Sequence, residues 1–331
     1  MVMEYKNLVI SFKTILLFFL TVFFIWVFWL IREVVLFLFI SLILALALEP
    51  FVDFLVRKKF HKGFSVVLVV LTMLFVVIGL ASVSLVPFIH QTQILIANFP
   101  NYIKYLSGIP GAGEYINKFN DGIFAQLNQS GGSVINFTLN AFSGFLSLIL
   151  IFVFTIYMLI DFKNLRLMFV DFFEDGRREE IQRLVNKIET RLGGWLRGQI
   201  FLMFIIGFFT YIGLLILGMD YALALAVIAG LLEIVPIIGP IISVVPAAFI
   251  AFFISPVLGI GVVVLYIVVQ QLENNVIVPK VMQRAVGFNP LVTIIALMVG
   301  GQLLGVVGAI LAIPILITIY EVFKYIVKDK V

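Results

Sequence analysis

The sequence predicts an all-α polytopic membrane protein with about eight transmembrane segments, some of them broken or re-entrant in the carboxyl-terminal half. Three observations carry this. Hydrophobic residues make up 63% of the 331-residue chain, against about 45–50% in soluble domains. Mean hydropathy is +1.21 and only 12% of residues are charged, more apolar side chain than a soluble surface can cover, so the excess must face lipid. The apolar residues also come in runs, most of them near the roughly 20 residues with which a helix crosses the hydrocarbon.

Residues 14–31 (TILLFFLTVFFIWVFWLI) predict a first helix and residues 34–52 a second. No small-residue cleavage site follows the first run, so it reads as a span and not as a removable leader. A basic connection with Arg57, Lys58, Lys59 and Lys62 leads to a third helix over 64–86, ended near Pro87, which completes an amino-terminal unit over 1–87. Residues 134–160 predict the fourth helix; residues 200–217, the fifth, open a carboxyl-terminal unit over 200–331. The connection 88–133 carries only Lys104 and Lys118, whereas 161–199 carries eight Lys and Arg residues. Lys and Arg collect on the cytoplasmic side, so 88–133 is expected outside the cell membrane and 161–199 in the cytoplasm, with both chain ends. Within 161–199, Ile181, Leu184, Val185, Ile188, Leu192, Trp195 and Leu196 form one helical stripe. It predicts an amphipathic helix at the membrane surface or on the inner side of the protein, with Glu179 and Arg183 placed to pair four residues apart.

The carboxyl-terminal half breaks its own helices. Residues 221–272 hold a single charge, Glu233; as one helix this run would be about 78 Å long, over two hydrocarbon thicknesses. Pro236, Gly239, Pro240, Pro246, Ser255 and Pro256 mark where it turns. Residues 285–320 form a second uncharged run, about 54 Å if helical, interrupted at Pro290, Gly300, Gly301, Gly305, Gly308 and Pro314. Two topologies fit. In one, 222–254 and 290–320 are re-entrant hairpins flanking a span at 256–272. In the other, all three are spans, the outer two kinked, for eight crossings in all. A broken helix bares backbone groups that hydrocarbon cannot satisfy, so it survives only beside protein or a watery cavity, and transporters aim such half-helices at substrates and ions.

Chemistry-bearing residues are few. Glu233 either faces a cavity, serving coupling or substrate contact, or sits near the interface bonded to freed backbone; charge at mid-membrane is costly. Gln270, Gln271, Glu273, Asn274 and Asn275 end an apolar run; amides and a carboxylate can line an ion or solute pathway, or simply close a helix end. The glycines at 300, 301, 305 and 308 permit close packing or a hinge. The chain has no cysteine, which excludes disulfides and thiolate metal sites. His61 and His90 fall in connections on opposite sides, and neither a phosphate-binding GxxxxGK[ST] loop nor HExxH occurs. No enzyme, metal or cofactor is therefore expected, beyond Na+ or H+ as a coupling ion. The net charge of +4 reads as loop bias, not as nucleic-acid binding. The expected partners are the lipid bilayer and a small polar solute or a monovalent cation.

Several stretches resemble the autoinducer-2 exporter (AI-2E) family of transporters: Arg-Gly-Gln (197–199), Pro-Ile-Ile-Gly-Pro (236–240), Gln-Gln-Leu-Glu-Asn-Asn-Val-Ile-Val-Pro-Lys (270–280), Gly-Phe-Asn-Pro-Leu (287–291) and Gly-Gly-Gln-Leu-Leu-Gly-Val-Val-Gly-Ala-Ile-Leu-Ala-Ile-Pro (300–314). The resemblance implies a secondary transporter exporting small polar molecules, exchange of sodium or lithium for protons in some members, and a homo-oligomer. It adds Pro279 and Asn289 to the pathway residues. Asn289 departs from the family, where His often stands before Pro290, so a proton role for that imidazole does not carry over.

Overall fold

The computed structural model describes residues 12–83, 133–173, 175–282 and 287–328, and their regular structure is helical throughout. The expected outer connection, 88–133, lies outside the described residues except for Ser133. Helix α1 (Phe12–Leu30) and helix α2 (Arg32–Arg57) are the first two predicted helices. They run end to end: Ile31 has φ −93° and ψ 7°, and the hydrogen-bond ladder passes through it, from Ile31 N to Val27 O and from Val35 N to Ile31 O. The two do not form the antiparallel pair that a crossing by each in turn requires. Helix α3 covers Lys62–Val83. Helix α4 (Ser133–Asp171) continues past the expected end at residue 160, which appears instead as a kink at Asp161.

Helix α5 (Arg178–Ile216) corrects one expectation. The amphipathic stripe and the fifth span are a single 39-residue helix; no proline separates them, and the helix passes through Gly193, Gly194 and Gly198. The stripe does not lie free at a surface. Leu192, Trp195 and Leu196 are buried in a core with Ile43 and Leu46 of α2 and with Ile313 and Ile317 near the chain's end. Arg183 donates to the Glu179 main-chain oxygen at 3.3 Å. A second core joins α2, α3 and α4 through Ala45, Leu48, Val52, Val66, Val70, Phe152 and Leu159. Pro50 inside α2 has no N–H to give the Leu46 carbonyl, and the Arg197 Nη1 donates there instead, at 2.9 Å.

The first broken run is a helical hairpin. Its arms are α6 (Ala222–Leu232) and α7 (Ile238–Ile254). Ala222, Leu225 and Ala229 share one core with Ala247 and Ala251, residues that a continuous helix would hold up to about 44 Å apart. Eleven residues in α6 span about 17 Å, half the hydrocarbon thickness, so this arm enters and returns. Its axis runs antiparallel to α5, with Gly207 against Ala226 O and Gly230 against Met203 O.

Helix α8 (Pro256–Leu272) starts at Ser255, whose Oγ accepts from Leu258 N at 3.1 Å, with Pro256 in the first turn. It passes down α5, where Leu265 lies over Gly213. A π-helical turn (Glu273–Ile277) follows, then the short α9 (Val278–Met282), whose Met282 lies over Gly198.

Helix α10 (Pro290–Lys328) is the second hairpin. Leu304 and Gly305 leave helical geometry, Gly305 at φ +61°, a region that favours glycine. The arms cross at the neck: a Cβ on Gly300 would stand 2.3 Å from Gly308 O, and one on Gly308 2.0 Å from Gly300 O. Among the described residues six helices are long and apolar enough to cross a bilayer, against the eight expected, and α10 is counted among the six although it folds back.

A buried carboxyl pair where two hairpins meet

The hairpins point in opposite directions. The open end of the first lies beside Ile216, the far end of α5, and its tip reaches down to Gln199, whose Nε2 donates to the Glu233 main-chain oxygen. The open end of the second lies beside the charged half of α5. There Glu321, 1% exposed, takes ion pairs of 2.7 Å from both Lys187 and Arg191, and Phe288 stacks edge-on against Tyr320. Between these ends the tip residues Ile234 and Val235 pack on Leu297, Ala309 and Ala312 from both arms of the second hairpin.

The tip is built by the breakers that the sequence displays. Val235 N donates to Leu232 O, Ile238 N to Pro236 O at 2.8 Å and Gly239 N to Val235 O at 2.9 Å. Ile237 is driven to φ +71°. Gly239 is buried against the end of α6, where a Cβ would stand 2.0 Å from Leu232 O. Ser243 Oγ closes onto Pro240 O at 3.0 Å. Glu233 terminates α6 and is wholly buried.

Its carboxyl lies within hydrogen-bonding reach of the Glu273 carboxyl, itself 4% exposed. Gln270 Nε2 donates to Glu273 Oε2 at 3.1 Å. Among the described residues neither carboxyl oxygen of Glu233 has a donor, and the Gln199 Oε1 beside it has none either. Two carboxylates are acceptors only, so a proton or a cation between them is what makes their approach favourable. The site is sealed from solvent in this conformation.

The predicted residues thus divide. Glu233, Gln270 and Glu273 come together, with Pro236, Gly239 and Pro240 shaping the tip beside them. Gln271, Asn274 and Asn275 are exposed on the other side of the π-helical turn, where Asn275 Nδ2 donates to Gln271 Oε1 at 2.9 Å. Pro279 is exposed on α9. Asn289 caps α10 by accepting from Leu291 N at 2.9 Å, and Pro290 follows it in the first turn. Gly300 and Gly308 make the neck, Gly305 the bend, and Gly301 faces open space. Pro314 is buried in the returning arm, its carbonyl taken by Thr318 Oγ1 at 2.9 Å. Gln199 and Glu321 were not among the residues singled out as site candidates. Gln199 belongs to the Arg-Gly-Gln motif, but its partner is a main-chain carbonyl 34 residues away, which no spacing rule reveals.

This architecture, a multi-pass helical membrane protein with two opposed hairpins meeting over a buried carboxyl pair, has the broken-helix design of transporters. The family model for AI-2E family transporters matches residues 18–328, and the chain belongs to that family. It is 26% identical over 294 residues, 83% of this chain and 79% of the relative, to a Bacillus subtilis protein named "Putative transport protein YueF". It is 25% identical to a similarly named Escherichia coli protein, YhhT, over 86% of this chain and 82% of the relative. A "Sodium-lithium/proton antiporter" of Halobacillus andaensis is 27% identical over 152 residues, 46% of this chain and 43% of that protein.

Proposed function

We propose that this chain is a secondary transporter that exports a small polar solute by alternating access, driven by a proton or monovalent cation held between Glu233 and Glu273. One observation carries the reading: a buried carboxyl pair, in which Glu233 has no donor among the described residues, stands where a hairpin tip, a π-helical turn and a second hairpin converge. Such a pair exchanges one proton for one dehydrated cation at little cost in net charge. The cluster of Lys and Arg on α5, with Lys324 and Lys328 on α10, supports an orientation with that end of the bundle on the cytoplasmic side of a cell membrane.

A second reading is exchange of sodium or lithium for protons with no organic solute. The carboxyl pair suffices for it, and the antiporter relative supports it. Purified protein in vesicles loaded with a pH-sensitive dye tests both. Added Na+ or Li+ drives proton flux in the unaltered protein and none in Glu233→Gln. Metabolite profiling of cells with and without the protein, with Glu233→Gln as control, then separates the readings: a solute whose export needs Glu233 supports the first, and ion exchange alone the second. Cation-driven flux unchanged in Glu233→Gln contradicts the ion-coupling site common to both.

A further inference from the structure

Gln271, Asn274 and Asn275 are exposed at a depth where their neighbours are apolar. Leu265 lies over Gly213 and Met282 over Gly198, so residues 271–275 run beside the stretch of α5 between those glycines. That stretch shows exposed Phe201, Phe204 and Phe208, the last two stacked ring on ring, a surface suited to lipid chains. Carboxamides on the same level cannot face lipid cheaply. An amide in hydrocarbon without hydrogen bonds is strongly disfavoured, because nothing there replaces the water it leaves. The bond from Asn275 to Gln271 meets only part of that demand, and Asn274 makes no side-chain bond to the described residues.

We propose that this face borders a water-filled path at mid-membrane and binds a small, uncharged polar solute through its amides. Each carboxamide offers both donor and acceptor and no formal charge, which suits hydroxyl and carbonyl groups rather than ions. The same π-helical turn carries Glu273 on its buried side. Solute and coupling ion would then bind back to back on five residues, in a π-helical turn of the kind frequent at functional sites. The choice of solute rests on the transporter reading; the wet face does not.

The chain has no cysteine, so single substitutions create unique thiols. Asn274→Cys, Asn275→Cys, Gln271→Cys and, as a lipid-facing control, Phe204→Cys are reconstituted as full chains and treated with an anionic, water-soluble methanethiosulfonate. The three amide positions are expected to react at least tenfold faster than the control, and three positions keep the test open if one variant fails to fold. Equal, slow reaction at all four overturns the proposal. So does oxidant-induced cross-linking of Asn274→Cys between copies in place of labelling, which would make the face a contact between subunits. Labelling is read without any flux measurement, so its failure stands apart from failure of the carboxyl-pair assay.

Discussion

Glu233 and Glu321 are both buried carboxyls in apolar helices, and their surroundings assign them opposite tasks. Glu321 is held by Lys187 and Arg191 at 2.7 Å each, so it clamps the returning arm of the second hairpin to α5. Glu233 has no donor among the described residues, so it adds nothing comparable to stability. The two conservative variants are expected to separate these roles. Glu321→Gln loses one partner of charge-assisted bonds worth about 1.5–3 kcal/mol, toward the lower end because Lys187 is half exposed, and thermal unfolding of purified protein reads the loss as a lower Tm. Glu233→Gln keeps or raises the Tm and abolishes cation-driven proton flux. Glu233 was legible in the sequence as the lone charge in a 52-residue run. The clamp on Glu321 was not, because Lys187 and Arg191 read as loop charges until the hairpin brings Glu321 back to them.

The two hairpins depend on glycines in different ways. Gly308 sits against the Gly300 carbonyl, where a Cβ would stand 2.0 Å away, while Gly301 faces open space. Gly308→Ala is therefore expected to spread the arms at a cost of about 1–3 kcal/mol, and Gly301→Ala to lie within about 1 kcal/mol of the unaltered protein, more stable if anything, by helix propensity; thermal unfolding in one detergent compares them. Gly305→Ala would force a Cβ into φ +61°, ψ −142°, at a cost of about 1–3 kcal/mol, at the bend where the arms reverse. The places of these breaks were legible from proline and glycine alone. Fold-back was not, since a kinked span and a hairpin use the same breakers, and only the pairing of Ala222 with Ala251 in one core decides between them. The continuity of α1 and α2 was likewise hidden: Arg32 and Glu33 look like a polar break, yet the main-chain ladder passes through Ile31.

At the scale of the whole molecule, two hairpins enter from opposite ends, and the tip of the first, which carries Glu233 of the buried carboxyl pair, packs on both arms of the second. In the proposed alternating access, each hairpin would withdraw toward its own side and open the pair to one face of the membrane at a time. The membrane class followed from composition, because 63% hydrophobic residues admit no soluble alternative. A common site for Glu233 and the Gln270–Asn275 cluster was expected from the sequence; the pairing of Glu233 with Glu273 in particular was not, since two reversals of direction lie between them. The central claim is that this pair trades a proton for a cation. It is tested most directly by adding Na+ or Li+ to purified protein in weakly buffered detergent solution and recording the protons released. The unaltered protein is expected to release about one proton per chain, and Glu233→Gln and Glu273→Gln none. Release that persists undiminished in both variants would contradict the account.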